Sequence, residues 1–246
     1  MKLRLKVIGV KGGVGKTTIA LASAFYLSRR YRVLYIDKDL LSFASNVLGF
    51  SGRGFHAAVI ENLEREEYEY KVNENLILFK MFSDPLKEME LHRLAYSNKR
   101  KCVEAYLDVV SKNYDVIIVD YGLVFDTNNP LAYDEFNLFV QHFPEYTIGG
   151  VGVTDALKED IINNVEYYKR TIRAINARPI AFVVNMVFPE VREEVQSLVN
   201  KIKGDLPGGD VILIPYKEEF RDFSKVKEEN ELSEVGKLIE KYLSLL

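Results

Sequence analysis

The chain has 246 residues, 48% of them hydrophobic and 28% charged, enough to bury a core without covalent staples. Its single cysteine, Cys102, excludes an intrachain disulfide, a C-x-x-C redox pair and a zinc or iron-sulfur cage built by one chain. A net charge of −3 argues against whole-surface affinity for nucleic acid, and no apolar run approaches the roughly 18 residues a membrane helix needs.

The opening MKLRLKVIGV alternates charged and aliphatic residues instead of presenting a signal-peptide core, so a cytoplasmic location is expected and Leu3 to Val10 reads as the first strand. KGGVGKTT follows at residues 11–18, with a helix expected from about Lys16. Gly12, Gly13 and Gly15 let backbone N–H groups turn inward around polyphosphate oxygens, at a helix N-terminus whose dipole favours anions. Lys16 is placed to neutralise the β and γ phosphates, and the Thr17 hydroxyl to take one position on Mg²⁺. The candidate nucleotide contacts are therefore Gly12, Gly13, Val14, Gly15, Lys16, Thr17 and Thr18. Val10 stands where the common G-x-x-x-x-G-K-[ST] loop has its first glycine, and Lys11 is an additional cation at the loop's rim.

Val33 to Ile36 is the second strand, ending in Asp37-Lys38-Asp39. Carboxylates at the end of a strand beside a phosphate loop point into the ligand crevice, where they can orient metal-bound or attacking water; capping the next helix is the plainer alternative. Leu76 to Phe79 and Val116 to Val119 are further strands. Asp120, closing VIIV, fits the pattern of four apolar residues and an aspartate whose carboxylate holds Mg²⁺ through water, and Gly122 can bring a backbone N–H to the γ-phosphate. Residues 121–147 carry Tyr121, Phe125, Tyr133, Phe136, Phe139, Phe143 and Tyr146, a density that suits either a docking surface or a self-packed extra helix.

Ile148 to Val153 is the next strand, and Asp155 can cap a helix over 156–174. Ile180 to Val184 precedes Asn185, which is not followed by the N-K-x-D or T-K-x-D that reads guanine, so ATP is favoured over GTP. Pro189 can open a helix to about Lys203, before the turn over 204–209. Val211 to Ile214 is the seventh strand, followed by Pro215-Tyr216. Several strands are continuously apolar, as in strands covered on both faces, so the chain is predicted to form an α/β, doubly wound, mainly parallel sheet of about seven strands with helices on both sides. No linker, repeat or low-complexity stretch divides it, so residues 1–246 read as one domain.

K-G-G-x-G-K-T-T resembles the deviant phosphate loop of the ParA/MinD ATPases, P-loop NTPases of the SIMIBI type, and the likeness spans nearly the whole chain. It implies that Lys11 reaches across a dimer interface to the other subunit's nucleotide. It makes Asp39 the residue that positions the nucleophilic water and Asp37 a support of the metal's surroundings, and it places Asn185, Pro215 and Tyr216 around adenine. Lys11, Lys16 and Asp39 are thus the catalytic candidates, and Thr17, Asp37 and Asp120 the metal candidates. Leu40-Leu41-Ser42-Phe43 replaces the family's polar stretch, and Asp120-Tyr121-Gly122-Leu123 lacks its usual proline.

With one cysteine and one domain, the cluster-carrying, tail-anchor-delivering and metalloid-pumping branches are disfavoured. The last helix, ELSEVGKLIEKYLSLL, has an apolar face of Leu232, Val235, Ile239, Tyr242 and Leu246 and reads as core packing, so no stable membrane insertion is expected. Lys99-Arg100-Lys101 and the run with Lys217, Arg221, Lys225 and Lys227 are candidate nonspecific DNA contacts, with solvated helix faces as the alternative. The resemblance implies a Mg²⁺-dependent ATPase, slow and partner-stimulated, that dimerises when ATP-bound and serves DNA or cargo partitioning with an activator or adaptor. A nucleotide-dependent module with little turnover, recruiting a protein through the aromatic segment, is the alternative.

Overall fold

The computed structural model describes residues 2–122, 125–221 and 230–245, with only the backbone of Phe220, Arg221 and Asn230. Eight strands form one sheet in the order β3-β4-β2-β5-β1-β6-β7-β8. They are β1 (Lys2–Ile8), β2 (Val33–Asp37), β3 (Glu69–Lys71), β4 (Leu76–Lys80), β5 (Val116–Asp120), β6 (Tyr146–Thr154), β7 (Arg178–Val187) and β8 (Asp210–Pro215). All pairings are parallel except β3 with β4. That antiparallel edge strand, EYK, is the one beyond the predicted seven; three residues, two of them charged, give no strand periodicity to read.

Strand alternation sorts the core into two layers. Leu3, Leu5 and Val7 of β1, with Val33 and Tyr35 of β2, face α1 (Lys16–Leu27) and the C-terminal helix Asn230–Leu245. That helix buries Leu232, Val235, Ile239 and Leu243 there, and its Glu240 accepts from the Tyr26 hydroxyl at 2.9 Å, so its apolar stripe is committed to the core. Among the described residues no helix is long and apolar enough to cross a membrane.

α2 (Phe43–Val47) joins the α1 side through Ala44, and the other layer holds α3 (Phe55–Glu61), α4 (Glu88–Ser97), α5 (Lys99–Val110), α6 (Pro130–His142), α7 (Lys158–Ala174) and α8 (Arg192–Ile202), whose buried residues join Leu34, Ile36, Ile117 and Val119. Pro189 opens a 3₁₀ turn, Pro189–Val191, that leads into α8. Gly149, Gly150 and Gly152 of β6 leave room for Ile180, Ile172, Tyr168 and Phe182, whose side chains would collide with any added Cβ.

Most of the aromatic segment is packed inward, with Tyr133 and Phe143 half-buried. Tyr121, Phe125, Phe136, Phe139 and Tyr146 are buried, and the extra helix α6 packs on the sheet; Asn129 caps it by accepting from Leu131 N, and Pro130 supplies its first turn. Beneath it lie Arg4 and Lys6 of β1, which simple alternation would have sent to solvent. The Arg4 guanidinium lies 4.2 Å from the Phe139 ring centre, and Lys6 Nζ lies 3.4 and 3.5 Å from those of Phe125 and Phe136. Arg4 is held bidentately by Glu135 of α6 at 2.9 and 2.7 Å.

Candidate nucleotide site at the strand ends

The C-terminal ends of β1, β2 and β5 lie side by side, with Val7 paired to Asp120 and Asp120 to Asp37. This is the rim where the order of the sheet reverses around β1, the crevice that open parallel sheets use for ligands. The phosphate loop leaves β1 there. Gly15, at φ 93°, ends it as the residue before α1, and a Cβ at this position would stand 2.2 Å from Asn185 Nδ2. Gly12 and Gly13 are exposed, Thr17 and Thr18 half-buried, and Val14 turns its side chain into the core while its carbonyl accepts from Asn185 Nδ2 at 2.9 Å.

Lys16 is mostly buried, and its Nζ donates to Lys11 O at 2.9 Å. Burial lowers its pKa, opposed by the nearby Asp120 and Asp39 carboxylates. Lys11 points the other way. Its ammonium bridges Asp155 at 3.0 Å and Asp160 at 2.7 Å, which anchors the loop rim to the start of α7 in the same chain. Asp155 is not the predicted cap: the helix starts at Lys158 with Leu157 before it, and Asp155 Oδ1 accepts from Leu157 N ahead of the helix while Oδ2 holds Lys11.

Asp120 is fully buried. The Tyr35 hydroxyl donates to its Oδ2 at 3.0 Å, and Oδ1 has no partner. Burial pushes its pKa up to about 7, with Asp37 adding to the rise and Thr17, Tyr35 and Lys16 opposing it. A buried carboxylate oxygen left open beside a threonine hydroxyl is an all-oxygen donor set that fits Mg²⁺, whose remaining ligands in P-loop sites come from phosphate and water. Among the described residues no cluster of three or more His, Cys, Asp or Glu could hold a metal by itself.

Asp37 is also buried, and its oxygens are engaged within the chain: Oδ2 accepts from Ser45 N and Oγ at 2.8 and 2.6 Å, and Oδ1 from Asp39 N at 3.1 Å. It thereby shapes the turn that carries Asp39. The half-buried Asp39 lies against Gly122, where a Cβ would come within 2.4 Å of its Oδ1 and 2.6 Å of its Cα. Beyond it Leu41 and Phe43 are exposed on the same turn, at 68% and 43%.

On the far side Asn185 is buried. Its Nδ2 is fixed on Val14 O, which leaves Oδ1 as an unpartnered acceptor. Pro215 and Tyr216 are half-buried beside the end of β7, and Tyr216 stacks on Phe188 with ring centres 4.3 Å apart. Tyr35, Phe188 and Asn164, whose Oδ1 accepts from Val10 N at 2.9 Å, belong to this rim without any sequence signal. Each reads as an ordinary strand, loop or helix residue until the fold brings it to the loop. Of the basic patches, Lys99 and Arg100 are exposed, with Arg100 paired to Glu104 at 2.8 Å and Lys101 bonded to Asn62. Lys217 pairs with Glu231, whereas Lys225, Lys227 and the Arg221 side chain lie outside the described residues.

The fold recurs in solved structures. Apo McdA of Cyanothece superposes with a TM-score of 0.70 at 15% identity, over 99% of this chain and 100% of that one. A putative plasmid partition protein of Borrelia burgdorferi B31 bound to AMPPNP gives 0.70 at 16%, over 100% of both chains. The septum site-determining protein MinD of Pyrococcus horikoshii OT3 complexed with Mg-ADP gives 0.69 at 19%, over 100% of this chain and 97% of that one. No curated protein matches the sequence. The family model described as the CobQ/CobB/MinD/ParA nucleotide binding domain matches residues 5–230, nearly the whole chain, and with the phosphate loop placed as above it bears out the ParA/MinD resemblance: the chain belongs to this family of nucleotide-binding domains.

Proposed function

We propose that residues 1–246 form a single-domain, Mg²⁺-dependent ATPase that works as an ATP-driven dimerisation switch in DNA or cargo partitioning or positioning. The observation that carries this reading is the convergence on one rim of the Lys11 to Thr18 loop, the open oxygen of Asp120 and the Asp39 turn. In this mechanism Gly12, Gly13 and Gly15 bind phosphate through backbone N–H groups, and Lys16 exchanges Lys11 O for the β and γ oxygens. Thr17 and Asp120 would hold a Mg²⁺, which would supply charge neutralisation at the phosphates, and Asp37 fixes the turn from which Asp39 orients the attacking water. Asn185 Oδ1 accepts from the adenine amine, a donor that guanine does not present at that position, while Pro215 and Tyr216 wall the base.

Lys11 serves the facing subunit. To do so its ammonium leaves Asp155 and Asp160 for the γ-phosphate of the opposed nucleotide, so ATP favours the dimer and ADP does not. The plasmid partition and MinD relatives support a positioning role, with nonspecific DNA through Lys99, Arg100 and Lys101 and a protein activator or cargo adaptor as the expected partners. The alternative module that recruits its partner through the aromatic segment loses most of that surface to burial.

The test is mass by light scattering with a hydrolysis assay. Lys16→Ala is expected to abolish nucleotide binding. Asp39→Ala should bind ATP, lose turnover and accumulate as a dimer, and adding Lys11→Ala should weaken that dimer. Wild-type turnover, expected below about 1 s⁻¹ as in unassisted phosphoryl transfer, is compared with and without DNA. One mass in ADP, ATP and no nucleotide across micromolar protein would overturn the switch.

A further inference from the structure

Between the two aspartates at the end of β2 stands Lys38, which the nucleotide mechanism does not use. It is only 1% exposed. Strand alternation sends Asp37 and Asp39 toward the phosphate loop and Lys38 to the opposite face, under α6. Its backbone N donates to Asp120 O at 3.0 Å, which extends the pairing of β2 with β5 by one residue. Its Nζ donates to Ala132 O at 3.2 Å and reaches Glu135 Oε2 at 3.4 Å, both on α6.

Glu135 is an immobile anchor. Arg4 grips it bidentately and the Tyr106 hydroxyl of α5 donates to it at 2.6 Å, so β1, α5 and α6 all fix the point to which Lys38 is tethered. On the other side of the chain, Asp39 rests on Gly122 and continues into a turn in which Ser42, at φ 49°, donates its N–H to Asp39 O at 2.8 Å. Lys38 thus links that turn to α6, while on the opposite face the Ser45 hydroxyl of α2 donates to Asp37.

We propose that Lys38 is a positioning residue for hydrolysis, pinning the Asp39 turn to α6 through Ala132 and Glu135, so that the placement of the water-orienting carboxylate follows the placement of α6. The proposal rests on the reading of Asp39 given above. It also gives α6 a purpose: a protein that shifts this helix would retune the site through one side chain without touching the nucleotide.

Lys38→Met tests it, because methionine fills the tunnel while Arg4, Tyr106 and Glu135 stay paired. In the full chain, affinity for a fluorescent ATP analogue is expected to stay within about threefold, while single-turnover hydrolysis falls about tenfold or more. Independently of activity, amide hydrogen exchange of Ser42, Phe43 and Ser45 should quicken about fivefold or more, with Leu5 and Ile118 in the sheet unchanged. Unchanged exchange at the turn, or a sheet that loosens as much as the turn, overturns the proposal. If Lys38→Met does not fold, Lys38→Leu takes its place, and failure of both makes the residue purely structural and ends the idea. Should Asp39→Ala hydrolyse ATP at the wild-type rate, the Asp39 reading falls, and the exchange at Ser42 to Ser45 still decides whether Lys38 holds the turn.

Discussion

The oxygens of Asp120 and Asn185 on one face of the sheet and those of Glu135 on the other are satisfied in opposite ways. On the α1 face, at the strand ends, Asp120 and Asn185 each keep one buried oxygen with no partner. On the α6 face, Glu135 collects two bonds from Arg4, one from Tyr106 and a longer one from Lys38, all inside the chain. A buried acceptor without a donor costs about 1–3 kcal/mol, so the open oxygens of the first face suit something bound, whereas the buried carboxylate of the second is satisfied within the chain. Among the described residues the α6 face leaves cations and hydroxyls unpartnered instead: Arg4 Nε, the Tyr96, Tyr114 and Tyr121 hydroxyls, and Lys6, whose ammonium lies against aromatic rings.

The largest effect expected from this contrast is on the α6 face. Glu135→Ala would leave Arg4 and Lys38 as uncompensated buried cations, and a loss of about 3–5 kcal/mol is expected, read from chemical denaturation at pH 7. Burial works against the Glu135 carboxylate, but Arg4 and Lys38 overcome it and hold its pKa far below the ordinary value of 4.5. Its contribution is therefore complete above that ordinary value and disappears only as pH falls through the depressed one. The gap between wild type and variant should be full near pH 5 and narrow toward pH 8, because Lys38, lowered to about 8 by burial, loses the carboxylate that raises it and sheds its proton earlier in the variant. A loss smaller than about 1 kcal/mol would show that the α6 face is not held by its charges.

Lys6→Met should work in the opposite direction. Burial, then the neighbouring Arg4 and Lys38, push the Lys6 pKa well below 10.5, with Glu135 opposing in part. Between that lowered value and 10.5 the unfolded chain binds more protons than the folded one, so this side chain makes stability rise with pH. Methionine removes the penalty, with an expected gain of about 1–3 kcal/mol at neutral pH that shrinks toward pH 10. If the variant is instead less stable at pH 7, the rings of Phe125 and Phe136 hold a charged Lys6 by cation–π attraction and the site is satisfied after all.

The same contrast marks what the sequence made legible. KGGVGKTT, the aspartates closing VLYI and VIIV, and the parallel order of the apolar strands are local patterns whose chemistry follows from spacing, and the structure gathers them on one rim. The α6 face could not be read that way. Arg4 and Lys6 alternate with Leu3, Leu5 and Val7 as a solvent-facing edge would, and only the packing of a helix more than a hundred residues downstream turns them inward. Lys38 between two acids reads as surface charge for the same reason. Asp155 read as a helix cap because its partner Lys11 is also far away in sequence.

The smallest expected effect sharpens the α1 face. Asn185 has two amide ends, and the structure gives them separate tasks: Nδ2 ties β7 to the phosphate loop at Val14 O, and Oδ1 is left buried and unpaired. The tie orients the amide, and in the function proposed above its unpaired acceptor is the atom that meets the base. Adenine can satisfy it with its exocyclic amine, whereas guanine presents a carbonyl at that ring position and would leave two acceptors facing each other. Asn185→Ala removes both tasks, so ATP and GTP should both lose affinity as the loop tie goes, but ATP alone loses a base contact. The ratio of ATP to GTP affinity is therefore expected to fall by about tenfold, the value of one hydrogen bond to an otherwise unpaired buried group. Competition of each nucleotide against a fluorescent ATP analogue measures it. An unchanged ratio, with both affinities lowered equally, would mean that Asn185 only holds the loop, and that base selection belongs to the walls formed by Pro215 and Tyr216.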